Sequence, residues 1–214
     1  MSAESTLPAR MYLLAYDLTK DKPSDKSWLD YVVRGAALAQ LLAEGRLTDT
    51  GSAVVPAGGR PADEVLGLVY SEIEEARPRD WRPLLHESKA TLATVEDQLV
   101  QTGVFERHDR GLTAVDRVAI GEVQERARQI LGGHGTGVAG GGGGNVAVLD
   151  AALVALAFVI PLQTVFDRRR RRHDRDRVEA LARLVSASVP GFERLLRQMR
   201  RTRGRAYSAG GPVH

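Results

Sequence analysis

The sequence predicts a mostly α-helical fold, a single helical domain with short β-hairpins, and three observations support this prediction. Apolar residues recur at helical spacing over most of the 214 residues. Hydrophobic residues make up 43% of the chain, enough to bury a sizeable core at this length. Turn residues interrupt the helical pattern at two stretches that have the form of hairpins.

The first predicted element is a short strand at residues 11–17, MYLLAYD, because this run is brief, apolar and rich in aromatic residues. A polar loop follows and ends at Ser27, a favourable residue to cap a helix. Apolar periodicity then predicts helices over 28–44, 62–76, 81–101, 114–131 and 146–166, and two more within 174–203 that Pro190-Gly191 separates.

Two hairpins are predicted, over 46–56 and 104–114, because turn residues separate short apolar stretches there. Each hairpin follows a helix that runs into a glycine, Gly45 in the first case and Gly103 in the second. A glycine in this place is typical of a helix C-terminus. The pattern therefore predicts that one helix-to-hairpin unit occurs twice in the chain.

The predicted domain extends from residue 11 to residue 203, between flexible ends at 1–10 and 204–214. Inside it, the glycine tract 132–144 cannot pack a core and predicts a flexible loop. This tract contains G-x-G-x-x-G, but a helix precedes it and more glycine follows it. A dinucleotide fingerprint needs a strand before it and a helix after it, so no cofactor is predicted.

The most apolar stretch is residues 146–162, VAVLDAALVALAFVIPL, which contains Asp150 and Pro161. Its 17 residues are fewer than the ~20 that a membrane-spanning helix needs, so the stretch predicts a buried core helix. The N-terminus has no signal-peptide pattern. A soluble, cytoplasmic protein is expected.

Patterns that would indicate an enzyme are absent from the sequence. There is no cysteine, and the five histidines have neither metal-ligand spacing nor a G-x-S-x-G nucleophile turn near them. No catalysis and no metal are therefore predicted.

Charge is distributed unevenly along the chain. Residues 167–205 hold 14 arginines and five acidic residues, whereas the whole chain carries a net charge of only +3. Such a basic region attracts anionic surfaces, either membrane or nucleic acid. It contains a run of five arginines, which is either an electrostatic membrane patch or a solvated turn: Arg168, Arg169, Arg170, Arg171 and Arg172.

Four stretches of the chain resemble, in order, parts of the Golgi phosphoprotein 3 family. They are YLLAYDLT, SWLDYVVRGAALAQLLAEGRL, DEVLGLVYSEIEEARPRDWRPLL and LATVEDQLVQTGVFE. The resemblance runs from about residue 13 to about residue 184, and the arginine-rich composition is typical of a bacterial member. It implies a non-enzymatic helical domain that binds a phosphoinositide-like headgroup peripherally, on the inner face of the membrane.

The resemblance also implies a headgroup site made of Trp28, Arg34 and Lys89. The family uses a tryptophan and an arginine near its first long helix, and two arginines on the helix before the hairpin. Lys89 and Leu92 occupy the last two positions here, which favours anionic phospholipids in general over phosphatidylinositol 4-phosphate. From the residues alone, an ion pair with Asp30, worth ~0.3–0.5 kcal/mol at this spacing, explains Arg34 better than a lipid site, and only the resemblance favours the lipid site.

The second hairpin is the membrane-contact element of the family. The residues that the resemblance assigns to this contact are Val104, Phe105, Arg107, His108 and Arg110. The family's eukaryotic members have an apolar tip, whereas the tip here reads ERHDRG. Contact is therefore expected to be mainly electrostatic, at ~1 kcal/mol for each basic residue near an anionic surface.

Two other functions remain open from the sequence. A helix that enters a hairpin is also typical of winged-helix nucleic-acid-binding proteins, with residues 90–103 as the recognition helix. Glu87, Glu96 and Asp97 oppose phosphate binding there, so nucleic acid is the less favoured partner. The second is an adaptor role, because eukaryotic members of the family hold the cytosolic tails of membrane proteins. The oligomeric state is left open.

Overall fold

The computed structural model describes residues 6–24, 26–86, 89–109, 111–132, 144–160, 162–166 and 171–209. Nine helices lie within these ranges: α1 (Leu7–Ala15), α2 (Lys26–Ala43), α3 (Glu64–Glu75), α4 (Trp81–His86), α5 (Lys89–Gln101), α6 (Arg117–Leu131), α7 (Gly144–Ala157), α8 (Arg171–Ser188) and α9 (Phe192–Ala209). Six short strands accompany them: β1 (Tyr16–Asp17), β2 (Lys22–Pro23), β3 (Leu47–Asp49), β4 (Val54–Pro56), β5 (Phe105–His108) and β6 (Gly111–Ala114). The predicted mostly helical fold is confirmed.

The strands form three separate antiparallel pairs, β1–β2, β3–β4 and β5–β6. The second and third pairs are the hairpins predicted over 46–56 and 104–114. The first pair was not predicted, and it is only two residues long on each side. None of the three pairs extends into a larger sheet, so helices form the core.

The N-terminal element is a helix, and the predicted strand at 11–17 is wrong except at its last two residues. Every residue of α1 is buried apart from Arg10. An apolar run of this length fits a buried strand or a buried helix equally well, and here burial on all sides favours the helix. Helix α1 begins at Leu7, before the predicted domain boundary at residue 11. At the other end, α9 continues to Ala209, past the predicted boundary at 203.

Two glutamine side chains satisfy the ends of α1 in the middle of the core. The backbone N–H of Leu7 donates to Gln40 Oε1 at 2.6 Å. At the other end, Gln124 Nε2 donates to the carbonyl oxygens of Leu13 at 3.2 Å and Tyr16 at 2.7 Å. A buried helix leaves backbone groups unpaired at each terminus, and these amides replace the water that would otherwise bond them.

The apolar stretch around Asp150 is a core helix, α7, as predicted. Its central carboxylate is 4% exposed and pairs with Arg10 of α1 and with Arg126 of α6, whose Nη2 lies 3.1 Å from Asp150 Oδ2. Two guanidinium groups thus compensate the one buried acid of this helix. The helix ends at Ala157, earlier than the predicted residue 166. Within the described ranges, no helix has both the length and the apolar character that a membrane crossing requires.

Other predicted boundaries shift by a few residues for local reasons. The helix predicted over 81–101 is described as α4 and α5, with residues 87–88 between them outside the described part. Helix α6 begins at Arg117 because Asp116 caps it and accepts from the backbone N–H of Ala119 at 2.9 Å. Helix α2 begins at Lys26, so Ser27 lies inside it rather than capping it.

The predicted repetition of a helix-to-hairpin unit is confirmed. A glycine with positive φ follows each helix: Gly45 at +66° after α2, and Gly103 at +76° after α5. After α2, the N–H of Arg46 bonds the Leu41 carbonyl at 2.8 Å. After α5, the N–H of Val104 bonds the Leu99 carbonyl at 3.0 Å. Both helices therefore end in the same Schellman motif, which turns the chain into β3 and into β5.

Candidate functional site

Arg34 lies in the middle of α2, and its side chain is only 1% exposed. Its Nε donates to the Leu84 carbonyl oxygen at 2.9 Å, and its Nη1 donates to Thr91 Oγ1 at 3.1 Å. The same Nη1 forms an ion pair with the carboxylate of Glu72. One guanidinium group thus connects α2 to α3, α4 and α5. The carboxylate that pairs with Arg34 in the described structure is that of Glu72, whereas the sequence suggested that of Asp30.

The second terminal nitrogen of Arg34, Nη2, is buried and has no hydrogen-bond partner in the described structure. A buried charged donor without a partner is costly, and such an atom often indicates a place where a ligand or water oxygen binds. Glu72 is 29% exposed, so the ion pair reaches the protein surface at its acidic end.

Aromatic rings lie one and two turns before Arg34 on α2. The Trp28 ring, half-buried, meets the Tyr31 ring edge-on at 5.6 Å, and Tyr31 is 5.5 Å from the His86 ring at the end of α4. Burial raises the pKa of Tyr31 to about 12, so its phenol stays neutral at physiological pH. The structure therefore places Tyr31 between Trp28 and His86, which the sequence analysis did not associate with each other.

Helix α9 packs closely beside this site. A Cβ on Gly35, the residue after Arg34, would lie 2.5 Å from Met199 Cε. Glycine therefore lets α9 approach α2 at this level. The space beside Gly35 is therefore filled by α9 of the same chain.

The predicted second cation, Lys89, is the first residue of α5, but its side chain lies outside the described part of the structure. Thr91, two residues further along, contacts Arg34 directly. Leu92 is half-buried and packs against the core. A joint contact of Arg34 and Lys89 with one phosphate stays a prediction.

The structure corrects the role of two hairpin residues. Val104 and Phe105 are each 1% exposed, and the Phe105 ring packs 5.6 Å from Tyr12 and 4.8 Å from Tyr16. Both residues belong to the core at the base of the hairpin. The prediction that they contact a membrane is wrong, because both side chains are buried.

The rest of this hairpin is exposed and carries both charges. Arg107 pairs with Asp97 at 2.5 Å, and His108 lies 3.7 Å from Glu106. Arg110 lies outside the described residues. In the described part of the tip, each of these two basic side chains therefore lies beside an acidic one.

Two exposed valines follow the hairpin, and the sequence reasoning missed them. Val115 is 52% exposed and Val118 is 71% exposed, at the junction of β6 and α6. Arg117 lies between them and donates to the Leu18 carbonyl at 2.5 Å. The two valines are the large hydrophobic side chains recorded as exposed in the described structure.

Most of the predicted arginine patch lies outside the described structure. This holds for Arg168, Arg169 and Arg170, and also for the side chains of Arg171 and Arg172, whose backbone begins α8. Further along, a groove of about 260 Å³ between α8 and α9 contains both charges. Arg200 pairs there with Glu179 at 2.9 Å, and Arg197 pairs with Glu193.

The winged-helix alternative finds little support in the exposed face of α5. Val95 and Leu99 are buried, and the exposed side chains described between residues 91 and 100 are Ala93 and Asp97. A recognition helix needs donors and cations on its solvent face. In the part of the chain that the structure describes, no group of three or more possible ligands could hold a metal ion.

Glu72, Thr91, Tyr31 and His86 are the site residues that sequence reasoning missed. Tyr31 shares a helix with Arg34, so helical spacing was a usable signal for it. The contacts of Arg34 with Glu72, Leu84 and Thr91 span 38, 50 and 57 residues along the chain. No local pattern indicates partners at such separations.

The comparison with known families agrees with the fold. Residues 7–199, nearly the whole chain, match the model of a family described as Golgi phosphoprotein 3 (GPP34). This match begins at the first residue of α1 and ends within α9. A search of curated proteins finds no significant match to the chain.

Proposed function

Because this chain belongs to the Golgi phosphoprotein 3 family, we propose that it binds anionic phospholipid headgroups at a membrane surface as a peripheral protein. Membership is consistent with a non-enzymatic, adaptor-like role. The observation that carries the proposal is the buried guanidinium of Arg34, with one nitrogen left unpartnered beside the start of α5.

A phosphate group is the chemical match for this guanidinium. Its oxygens accept two parallel hydrogen bonds from arginine, and such charge-assisted bonds are about twice as strong as neutral ones. Arg34 Nη2 supplies one donor that has no partner in the described structure. Lys89, at the start of α5, would supply a second positive charge from the neighbouring helix.

The aromatic rings fit the same function. Tryptophan and tyrosine suit a membrane interface because each has an apolar body and a polar group. Trp28 is half-buried and rests on Tyr31, so its exposed part could meet lipid while its base stays fixed.

A second contact is proposed at the end of the molecule that carries the β5–β6 hairpin. Arg107 and His108 are exposed there, and Val115 and Val118 replace Val104 and Phe105 as the apolar contacts. Two valines bury little area, so electrostatic attraction would dominate and binding would weaken with salt. The inner face of the cytoplasmic membrane is the proposed location, and tails of membrane proteins are the proposed protein partners.

Sedimentation with lipid vesicles tests the proposal. Lys89→Glu should reduce binding to phosphatidylglycerol vesicles about tenfold, because it puts a negative charge beside the phosphate. Arg183→Glu is the control: it makes the same charge change at an exposed position of α8, away from both proposed contacts, and should change binding less than about twofold.

Three outcomes would overturn the proposal. One is equal binding to neutral and anionic vesicles, and a second is an equal loss in Lys89→Glu and in the Arg183→Glu control. The third is a salt-sensitive shift of random DNA by a protein that binds no vesicles, which would favour the nucleic-acid alternative.

A further inference from the structure

We propose that Glu72 is an internal competitor for the anion site, holding Arg34 in the place that a headgroup phosphate would take. This inference rests on the proposed function, because it concerns the same guanidinium. It assigns to a residue of α3 the control of how tightly the site binds an anion.

The two partners of this ion pair differ in their burial. Arg34 is 1% exposed and fixed by Leu84 and Thr91, whereas Glu72 is 29% exposed and lies towards the end of α3. A carboxylate at the edge of the protein can exchange its partner for water by a rotation of its side chain. The guanidinium has no comparable freedom, so Glu72 is the partner that can leave.

The contact between them uses half of the arginine fork. Glu72 accepts from Nη1, while Nη2 of the same guanidinium has no partner. A carboxylate or a phosphate can engage both nitrogens of an arginine in the two-pronged geometry. The present contact is therefore incomplete, and a phosphate that bonded both nitrogens would displace the carboxylate.

Competition has a consequence that a purely structural ion pair lacks. If Glu72 only supports the fold, its removal weakens the protein and leaves anion binding unchanged or reduced. If Glu72 competes with an anion, its removal weakens the empty protein but strengthens anion binding. The two effects of one substitution then have opposite signs.

The test compares the full-length wild-type protein with Glu72→Gln and Glu74→Gln. Glu74 is exposed on the same helix, so its variant makes the same change of charge away from Arg34. Vesicles of phosphatidylglycerol in phosphatidylcholine are the first probe. Glu72→Gln should bind them about tenfold more tightly than wild type, and Glu74→Gln should stay within about twofold.

Thermal unfolding in sodium phosphate, against sodium chloride at equal ionic strength, is the second measurement. Phosphate should raise the Tm of Glu72→Gln more than that of wild type or of Glu74→Gln, because a bound anion stabilises the folded state. This arm uses free phosphate, so it also separates recognition of the anion from contact with a lipid surface. If Glu72→Gln does not fold, Glu72→Asp takes its place, because it retains the charge on a shorter side chain. Its vesicle binding and its rise in Tm with phosphate should change in the same direction, by a smaller amount.

The results separate this inference from the proposed function. Binding that falls in Lys89→Glu but does not rise in Glu72→Gln or Glu72→Asp overturns the role of Glu72 and leaves the lipid site in place. The proposed function is overturned if the wild-type protein binds neutral and anionic vesicles equally and Lys89→Glu binds as well as wild type. A rise of equal size in Glu72→Gln and Glu74→Gln shows that bulk charge is responsible, and it also overturns the inference.

Discussion

At the scale of single residues, Arg34 is a buried cation whose position depends on three other segments of the chain. Burial of an ion pair removes two charges from water, and the attraction between them repays this cost only when the geometry is good. Here the Leu84 carbonyl oxygen, the Thr91 hydroxyl and the Glu72 carboxylate together compensate the buried guanidinium. Because Arg34 is buried and Glu72 is partly exposed, removal of one charge should not cost the same stability as removal of the other.

Loss of Glu72 should destabilise the protein more than loss of Arg34. Glu72→Leu leaves a buried guanidinium without its counter-charge and should lower the free energy of unfolding by about 3–5 kcal/mol. Arg34→Met leaves a carboxylate that is 29% exposed and can turn into water, so the loss should be smaller. Urea unfolding of both variants gives the order. A larger loss in Arg34→Met would mean that packing of the arginine, and not compensation of its charge, dominates.

At the scale of elements, the repeated helix-to-hairpin unit relates the two helices of the site. Arg34 lies 11 residues before Gly45, and Leu92 lies 11 residues before Gly103. Because α2 and α5 end in the same Schellman motif, positions 34 and 92 are equivalent in the two units. The resemblance to the family independently identified Leu92 as a position where an arginine is expected.

An arginine at position 92 should therefore strengthen anion binding. Leu92→Arg places a guanidinium one residue from Thr91, and its aliphatic stem can cover the apolar surface that the leucine now covers. Binding to phosphatidylglycerol vesicles should rise about fivefold to tenfold. Ala93→Arg adds the same charge at the exposed neighbouring position and is the control. Equal gains in both variants would indicate attraction to the vesicle as a whole and no second position for an arginine in the site.

Some elements of the fold could be predicted from local sequence patterns, and others could not. The hairpins at 46–56 and 104–114 were predictable because glycine caps and turn residues act within a few positions of the chain. The helix Leu7–Ala15 was not, because its apolar run has no alternation and only burial by neighbouring elements separates helix from strand there.

At the scale of the whole molecule, the core contains three tyrosines that cannot ionise easily. Burial raises the pKa of Tyr12 and Tyr16 well above their usual range and that of Tyr31 to about 12. Tyr12 also donates to Glu96 at 3.1 Å and Tyr16 to Asp21 at 3.0 Å, and both carboxylates oppose a phenolate. Their neutral forms are thus part of the folded state.

Stability should therefore fall as the pH rises above about 10. The unfolded chain releases its tyrosine protons near pH 10, whereas the folded chain retains them, so the unfolded state binds fewer protons and gains free energy of ionisation. Each such tyrosine contributes about 1.4 kcal/mol per pH unit between its unfolded and folded pKa. Urea unfolding between about pH 10 and pH 12 should show this slope, and Tyr31→Phe should reduce it by about a third. A slope that Tyr31→Phe leaves unchanged would mean that Tyr31 is ionised as readily in the folded protein.

The sequence by itself determined the helical fold, the two hairpins, the repeated unit and the resemblance to the family. All of these depend on spacing and turn chemistry within a short stretch of chain. The tertiary structure alone decided that Val104 and Phe105 belong to the core, that Arg34 is buried, and that Glu72 is its counter-charge. Those outcomes depend on contacts between residues tens of positions apart, and the free energy of burying a charge is set by what the fold brings around it.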